Sequence, residues 1–356
     1  MRRVISIIMI CLSLASCERY FDISKQVDDG TIWMTFIPSN DYDTTFFCLQ
    51  ATTPLAGLTE PVITKNESVD VLVNGKPLKM KLDAKSIPDR LTFYKTGYKF
   101  TPGDKVEATA TVPDVGSVSA SCTVPEPFPP FIWKTRVIPR NSSYNALVVD
   151  IEYEDPGDGG WYGAAVIQLC EKAGQWEETD PETGEKYWGE LEFSTQVRFL
   201  AQVSMTDSNG ISASGEDPVQ VSPKYYNTLS GNHPKVQIWC DAPGTSNDST
   251  RRSFSFASNF YEEPDEYSEN YDGLRAHRNF YKYKYQLVLY RFSESCYNYL
   301  KARYNSDHGN FSGLGFAPSS FVYTNVEGGA GVCGAYTVIS SDTITIEEKY
   351  QKIKKR

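Results

Sequence analysis

Apolar and polar residues alternate along several stretches of this 356-residue chain. The clearest run spans residues 106–112, where valine or alanine occupies every second position between glutamate and threonine, and residues 197–205 and 281–289 repeat the pattern. Because successive side chains of a strand point to opposite faces of a sheet, this period of two predicts half-buried strands of antiparallel sheets. Asn74-Gly75, between two apolar runs, predicts the type I′ turn of a hairpin. The chain is therefore expected to be mainly β.

One segment departs from this period of two. Residues 293–304 place Cys296, Leu300 and Tyr304 four positions apart, which puts them on one face of a helix. Ser293 is a favourable N-cap residue, and an acidic side chain follows it in the first turn. We expect one short helix in an otherwise β protein.

Four prolines within residues 124–130 indicate the main domain boundary. Proline cannot donate a hydrogen bond to a sheet and stiffens the chain toward a polyproline II conformation. We therefore expect an N-terminal immunoglobulin-like β-sandwich over residues 17–127. A larger C-terminal antiparallel β domain, which contains the short helix, is expected over residues 131–346. Residues 347–356 are rich in lysine and are expected to form a basic tail.

The N-terminus has the parts of a bacterial lipoprotein signal peptide. Two arginines precede an apolar run over residues 4–14, which is too short to span a bilayer as a helix. Residues 14–17 read Leu-Ala-Ser-Cys, and small residues before a cysteine are typical of a lipobox. We expect removal of residues 1–16 and acylation of Cys17 with chains such as palmitate, which anchor a protein stably when several are attached. An ordinary signal peptide followed by a chance cysteine is the alternative.

Six further cysteines follow the expected lipidation site, and an exported protein can form disulfides. They are Cys48, Cys122, Cys170, Cys240, Cys296 and Cys333. None belongs to a Cys-x-x-Cys pair, so the sequence does not support a zinc site or a thioredoxin-like site. Six cysteines allow many pairings that the sequence does not rank, so disulfides and buried free thiols both stay open.

Charge and composition argue against several classes of function. The formal net charge of −10 argues against nucleic-acid binding, which requires clustered lysine and arginine. Only His233, His277 and His308 are available for histidine chemistry, and His308 is expected in an exposed loop over residues 305–310. The sequence has no Gly-x-Ser-x-Gly or His-Glu-x-x-His motif. We expect no enzymatic activity, and we assign no catalytic, cofactor-binding or metal-binding residue.

A glycine-rich segment at residues 329–334 matches the Gly-x-Gly-x-x-Gly pattern of dinucleotide-binding proteins. That pattern binds a pyrophosphate only between a strand and a helix, whereas strand-like residues 336–346 follow it here. We therefore expect a glycine-dependent turn, because glycine allows positive φ and close backbone packing.

Two regions are candidates for binding. Residues 261–273 hold six carboxylates among tyrosines, which suits a calcium site, a recognition surface or a solvated loop. Residues 155–160 are a second calcium candidate and are expected to form a tight turn. Residues 174–189 predict a long exposed hairpin. The aromatic residues that could form a ligand surface, or instead fill the core, are Trp161, Trp176, Trp188 and the tyrosines of 261–285.

Four motifs carry a resemblance to a known family. They are the lipobox at Cys17, Tyr-Lys-Phe-Thr-Pro-Gly-Asp at 98–104, Ala-Ser-Cys-Thr-Val-Pro at 120–125, and a block at 321–336 with an Asn-Val-Glu-Gly-Gly turn and a closing Gly-Ala-Tyr. Together they resemble the DUF4249 family of Bacteroidetes lipoproteins. Cys333 departs from the family pattern, which usually has an aromatic residue there.

The resemblance implies a β-sandwich lipoprotein of the outer membrane. Genes of the family often lie beside a gene for a TonB-dependent receptor, which implies an accessory protein that binds a ligand for such a transporter or docks on it. The lipid bilayer and a TonB-dependent receptor are thus the expected partners, and the chain faces either the cell surface or the periplasm. The alternative function is a structural or adhesive lipoprotein of a pilus or surface layer. The family has no established chemistry, and the ligand is not identified by the sequence.

Overall fold

The computed structural model of the chain describes fifteen stretches of sequence. They are residues 31–41, 44–52, 67–83, 92–113, 115–139, 145–154, 156–157, 160–200, 202–207, 219–220, 235–240, 251–262, 265–269, 276–308 and 323–346. The expected signal peptide, Cys17 and the basic tail lie outside the described residues, as does His233.

Strands dominate the described residues, so the predicted mainly β fold is confirmed. The strands of the N-terminal part are β1 Thr31–Phe36, β2 Thr45–Thr52, β3 Ser68–Val73, β4 Lys76–Leu78, β5 Lys81–Leu82, β6 Thr92–Thr96, β7 Lys105–Val112 and β8 Gly116–Thr123. Those that follow are β9 Phe131–Pro139, β10 Asn145–Glu154, β11 Trp161–Thr179, β12 Lys186–Trp188, β13 Glu192–Phe199, β14 Gln202–Asp207, β15 Val219–Gln220, β16 Lys235–Cys240, β17 Arg251–Phe260, β18 Glu266–Glu269, β19 Ala276–Phe292, β20 Ala330–Cys333 and β21 Tyr336–Ser340. The helix α1 spans Glu294–His308.

Two sheets pack around a first core. One has the strand order β20-β1-β2-β6-β5 and the other β4-β3-β7-β8. The valines and alanines of residues 106–112 all face this core, which confirms the predicted alternation. Asn74 and Gly75 have φ of +52° and +74° between β3 and β4, as the predicted type I′ turn requires. The immunoglobulin-like detail and the two domain boundaries stay predictions.

The first core is completed by residues from the other end of the chain. Strand β20 runs parallel to β1, with Met34 opposite Gly331 and Phe36 opposite Cys333. Val326 and Cys333 are buried in the first core. The N-terminal sheets are therefore incomplete without the segment around β20.

A second pair of sheets encloses a second core. The four-stranded sheet has the order β14-β17-β10-β9, and the eight-stranded sheet is built on β15-β16-β11-β19-β18, with β12 and β13 paired to β11 and β21 to β19. Strand β10 contributes Leu147, Val149 and Ile151 to the core, and β19 contributes Leu287 and Leu289 from the predicted alternation of 281–289.

Helix α1 covers the opposite face of the eight-stranded sheet. Its residues Cys296, Tyr297 and Leu300 form a third core with β11, β19, β20 and β21. The amide N–H of Cys296 donates to Ser293 Oγ at 3.3 Å, so the predicted N-cap is confirmed. Within the described residues, no helix is long and apolar enough to cross a membrane.

The helix is longer than the sequence predicts. It continues to His308, so the expectation that this histidine lies in a loop is wrong. The sequence explains the length of the helix. The first residue after its start that strongly favours the end of a helix is the glycine at position 309. The side chains of residues 303–308, including Tyr304, lie outside the described set.

The predicted alternation over residues 197–205 is divided between two antiparallel strands. Strand β13 pairs with β11 in the eight-stranded sheet, whereas β14 pairs with β17 in the four-stranded sheet. The chain changes sheets at Leu200, which is buried in the second core and donates its N–H to the Val166 carbonyl oxygen at 2.9 Å. Alternation reports the pleat of a strand and does not identify the strand's partner.

Candidate binding surface

Strands β11 and β19 are long enough to pass between two cores and to extend beyond them. They contain 19 and 17 residues, and their pairing extends from Trp161 opposite Phe292 to Trp176 opposite His277. The half near Trp161 lies between the second and third cores. The other half, with β12, β13 and β18 beside it, forms what we call the distal arm, residues 171–197, 265–269 and 276–284.

The tip of the distal arm is the hairpin that the sequence predicts at 174–189. Glu177 pairs with Trp188, and the intervening turn is closed by Asp180. The carboxylate of Asp180 accepts the N–H groups of Glu182 at 2.8 Å and Thr183 at 3.0 Å. These backbone hydrogen bonds, that from Thr183 first, lower the pKa of Asp180. The hairpin is therefore closed by its own sequence and requires no contact with the cores.

One face of the distal arm exposes apolar side chains. Phe193 on β13 and Phe280 on β19 both lie opposite Ala173 on the central strand β11. Phe193 is 79% exposed and Val197 is 54% exposed, and Phe280 is also exposed. The small Ala173 side chain lies between the two phenylalanines, so the three residues form one apolar row across three strands.

A cation lies at the edge of this apolar face. The Arg278 guanidinium lies 4.1 Å from the centre of the Trp188 ring and 5.9 Å from that of Phe280. Its Nε donates to Gln175 Oε1 at 2.9 Å, which fixes the plane of the guanidinium. Farther along the same face, Lys284 donates to Glu171 at 2.6 Å, and this hydrogen bond lowers the pKa of the Glu171 carboxyl.

The opposite face carries a row of tyrosines from β19. Tyr281 and Tyr283 stack with ring centres 6.3 Å apart, and the Lys172 ammonium lies 5.7 Å from the centre of the Tyr281 ring. The Trp176 ring packs against the His277 ring at a tilt of 40° near the hairpin tip, with ring centres 4.8 Å apart. Aromatic side chains therefore line both faces of the distal arm.

The acidic segment at 261–273 packs against this tyrosine row. Tyr285 donates its hydroxyl to Glu262 at 2.5 Å, and Gln168 Nε2 donates to the same hydroxyl at 3.0 Å. Burial, with a further contribution from Glu262, raises the pKa of Tyr285 well above its usual range. Asp265 accepts the Tyr281 N–H at 3.0 Å.

These carboxylates bind separate groups of β19 and do not point at one centre. In the described part of the chain, no group of three histidine, cysteine or acidic residues is arranged to hold a metal ion. Residues 266–269 form β18 along the edge of β19, so the solvated-loop interpretation of this stretch is wrong there. Of the second candidate at 155–160, Gly157 has φ of +75°, while both of its aspartates lie outside the described residues.

The glycine-rich segment at 329–334 has a role in the fold. Gly328, with φ of +75°, lies in the turn that the sequence predicts, and residues 330–333 then form β20. Gly331 has φ of +113°, and a β-carbon there would overlap the carbonyl oxygen of Met34. A strand, β21, follows the segment, so the strand-to-helix setting of a dinucleotide site is missing at this point of the chain.

The structure divides the aromatic residues that the sequence singles out. Trp176 and Trp188 lie on the distal arm, whereas Trp161 packs against the third core. The sequence analysis missed Phe193, Val197 and Phe280. Their signal was their place in a period-two pattern, but only the strand order shows that no layer of the described structure covers their face.

Among solved structures, an I-band fragment of titin aligns over 73% of this chain and 93% of that chain, with 10% identity and a TM-score of 0.18. No curated protein is significantly similar. The model of DUF4249, a domain of unknown function, matches residues 35–342, which include both pairs of sheets, the helix and the block at 321–336. The chain belongs to the DUF4249 family.

Proposed function

We propose that this chain is a lipid-anchored accessory protein of the outer membrane, and that it docks on a TonB-dependent transporter through the distal arm. The lipobox at Cys17 supports the anchor, and the family supports the class of partner through the gene neighbourhood described above. The observation that carries the docking is the exposed apolar face of Phe193, Val197 and Phe280.

An apolar face of this kind favours a protein partner. Phe193, Ala173 and Phe280 form one apolar row across three strands, and burying such a row against a partner is favourable by about 25 cal/mol per Å². Aromatic and arginine side chains are enriched where protein interfaces concentrate their binding energy. Phe193, Phe280 and the Trp188–Arg278 pair supply both kinds in one place.

The outer edge of strand β13 also favours a protein partner. Strand β13 pairs with β11 along one side, and no described strand pairs with its other side. An unpaired edge offers a row of backbone hydrogen-bonding groups to an added strand. A partner that adds a strand beside β13 would cover Phe193 and Val197 in the same step.

The test is a pull-down from solubilised outer membranes of the native host with a C-terminally tagged chain, followed by mass spectrometry. We expect stoichiometric recovery of one TonB-dependent transporter with the wild-type chain. The double variant Phe193→Ser and Phe280→Ser should lose it. The control is Ile132→Ser on β9, which removes a side chain that is 59% exposed and lies off the arm.

Three outcomes would contradict the proposal. Recovery of the chain alone, or with pilus subunits, would favour the structural or adhesive function instead. Retention of the transporter by the double variant would place docking elsewhere on the molecule. Failure of radiolabelled palmitate to mark the wild-type chain, with Cys17→Ala as the comparison, would remove the anchor.

A further inference from the structure

Two thiols from distant parts of the sequence meet at the edge of the first core. Cys122 lies in β8 and Cys333 ends β20, and the two residues are 211 positions apart. The Cys333 S–H donates to the Cys122 sulfur at 3.5 Å. Cys48, Cys122, Cys170, Cys296 and Cys333 are free, and among these five this is the pair whose sulfurs are joined by a hydrogen bond.

The backbone on both sides of this pair is fixed by Asn325. Its side-chain oxygen accepts the Cys333 N–H at 3.0 Å, and its amide nitrogen donates to the Cys333 carbonyl at 2.8 Å. The same nitrogen donates to the Ser121 carbonyl at 3.4 Å. Two reciprocal bonds between Ser119 and Glu327, of 2.8 and 3.1 Å, join β8 to the same segment. The sulfurs therefore face each other in a frame that already holds the two chains together.

We propose that Cys122 and Cys333 form a disulfide that fastens β20 to β8 when the chain meets a disulfide-bearing oxidant. The Cys122 thiolate attacks one sulfur of the oxidant and releases its other sulfur as a thiolate. The Cys333 thiolate then attacks the Cys122 sulfur of this mixed disulfide and displaces the oxidant sulfur bonded to it, which also leaves as a thiolate. Two cysteine thiols are oxidised to one disulfide, the oxidant is reduced to two thiols, and the cysteine protons pass to the departing thiolates.

The exposure of the two thiols determines which of them attacks first. Cys122 is half-buried and is therefore the more accessible of the two thiols. Cys333 is buried, and its hydrogen bond to Cys122 together with burial raises its pKa. A small disulfide therefore reaches Cys122 first, and Cys333 resolves the mixed disulfide from inside.

The other described thiols are poor competitors for this reaction. Burial raises the pKa of Cys48 to about 12, and it raises that of Cys296 as well. Cys48 and Cys296 are both buried, so an oxidant reaches Cys122 before either of them. Cys170 is buried in β11, within the second pair of sheets.

Closure of so long a loop would stabilise the first pair of sheets. A cross-link restricts the unfolded chain more strongly as the loop between its ends grows. The bond would also hold Val326 and Cys333, which complete the first core, in place when β20 would otherwise separate from β1. In the cell the reaction rests on the proposed export, because disulfides persist in oxidising compartments.

The test uses the full chain, purified in detergent, reduced, and equilibrated with reduced and oxidised glutathione at several ratios. Free thiols are then alkylated, and intact mass and non-reduced peptide maps are recorded. We expect one disulfide, in a peptide pair that contains Cys122 and Cys333, and a melting temperature about 5–10 °C higher in the oxidised form. Cys122→Ala should lose the cross-link and the temperature shift, while Cys170→Ala, the matched control, should keep both.

The alternative results are equally specific. A cross-link that contains Cys296, or no cross-link at any glutathione ratio, would overturn the pairing. An unchanged melting temperature on cross-linking would overturn the fastening role. Material from the native host, alkylated during lysis, gives a separate result: a bond that forms with glutathione but is missing in the cell would support the pairing and count against the proposed export.

Discussion

Ser293 and Ala335 exchange two hydrogen bonds across 42 positions of sequence. The Ser293 N–H donates to the Ala335 carbonyl at 2.8 Å, and the Ala335 N–H donates to Ser293 Oγ at 2.9 Å. The same hydroxyl oxygen caps helix α1. One serine thus begins the helix and fixes the loop between β20 and β21.

Replacement of this serine should therefore cost more than a simple helix cap. Ser293→Ala removes the acceptor of the Cys296 and Ala335 N–H groups, and we expect the free energy of unfolding to fall by about 2 kcal/mol. Urea unfolding followed by tryptophan fluorescence measures the change. Thr343→Ala, an exposed threonine of the same C-terminal segment, is the control and should change stability by less than about 0.5 kcal/mol. Equal effects of the two variants would contradict the double role of Ser293.

A β-carbon at Gly331 should prevent β20 from docking. Gly331→Ala meets both an unfavourable φ and an overlap with the Met34 carbonyl oxygen, so we expect a loss of about 3–5 kcal/mol. Gly184→Ala is the control, because its φ of +73° is similar but nothing lies near the added atom. That variant should cost only about 1 kcal/mol. Thermal melts of the two variants separate overlap from backbone strain, and equal losses would show that overlap contributes nothing.

Asp104 should be indispensable to the turn of the 98–104 motif. Its carboxylate accepts the Thr101 N–H at 2.9 Å, the Thr101 hydroxyl at 3.1 Å and the Asn74 amide at 2.8 Å. Asp104→Asn turns part of this acceptor into a donor, so we expect a loss of about 2–3 kcal/mol in urea unfolding. Asp70→Asn, at an exposed position of β3, should be neutral. A neutral result at Asp104 would mean that the turn is closed by its backbone alone.

Stability should fall at alkaline pH through Tyr285. The folded state keeps this phenol protonated, because burial and the Glu262 hydrogen bond raise its pKa, whereas the unfolded phenol ionises near pH 10. The stabilisation is therefore complete below about pH 10 and is lost by about 1.4 kcal/mol per pH unit above it. Tyr285→Phe removes this dependence.

Urea unfolding at about pH 8 and about pH 11 tests this sign. The stability difference between the wild-type chain and Tyr285→Phe should shrink as the pH rises. Phe260→Leu is the control, because Phe260 packs on Tyr285 with ring centres 5.5 Å apart and does not titrate. Its deficit should be the same at both pH values. A constant deficit for Tyr285→Phe would contradict the raised pKa.

Local patterns predicted the features that depend on a few neighbouring residues. The alternation of 106–112, the Asn74-Gly75 turn, the N-cap at Ser293 and the hairpin at 174–189 are all confirmed. In each case the side-chain period or a required backbone angle is a property of the segment itself. The aromatic residues of the hairpin could be named for the same reason.

The pairing of segments that lie far apart in sequence could not be predicted in this way. The alternation over 197–205 is present, yet the chain changes sheets at Leu200, because a period of two is equally satisfied beside β11 and beside β17. The exposed face of Phe193 and Phe280 could not be predicted either. Exposure depends on which layers cover a strand, and that depends on the packing of segments far apart in sequence.

By itself, the sequence determined that this chain is a mainly β protein with one capped helix, because strand period, turn residues and caps are local properties. It also placed the chain in its family through the motifs at 98–104 and 321–336. Only the tertiary structure decided that β20 lies beside β1, that Cys122 meets Cys333, and that none of the described residues covers one face of the distal arm. These are contacts between segments that up to about 300 residues separate, and they are set by the burial of shared cores, for which no single segment carries the signal.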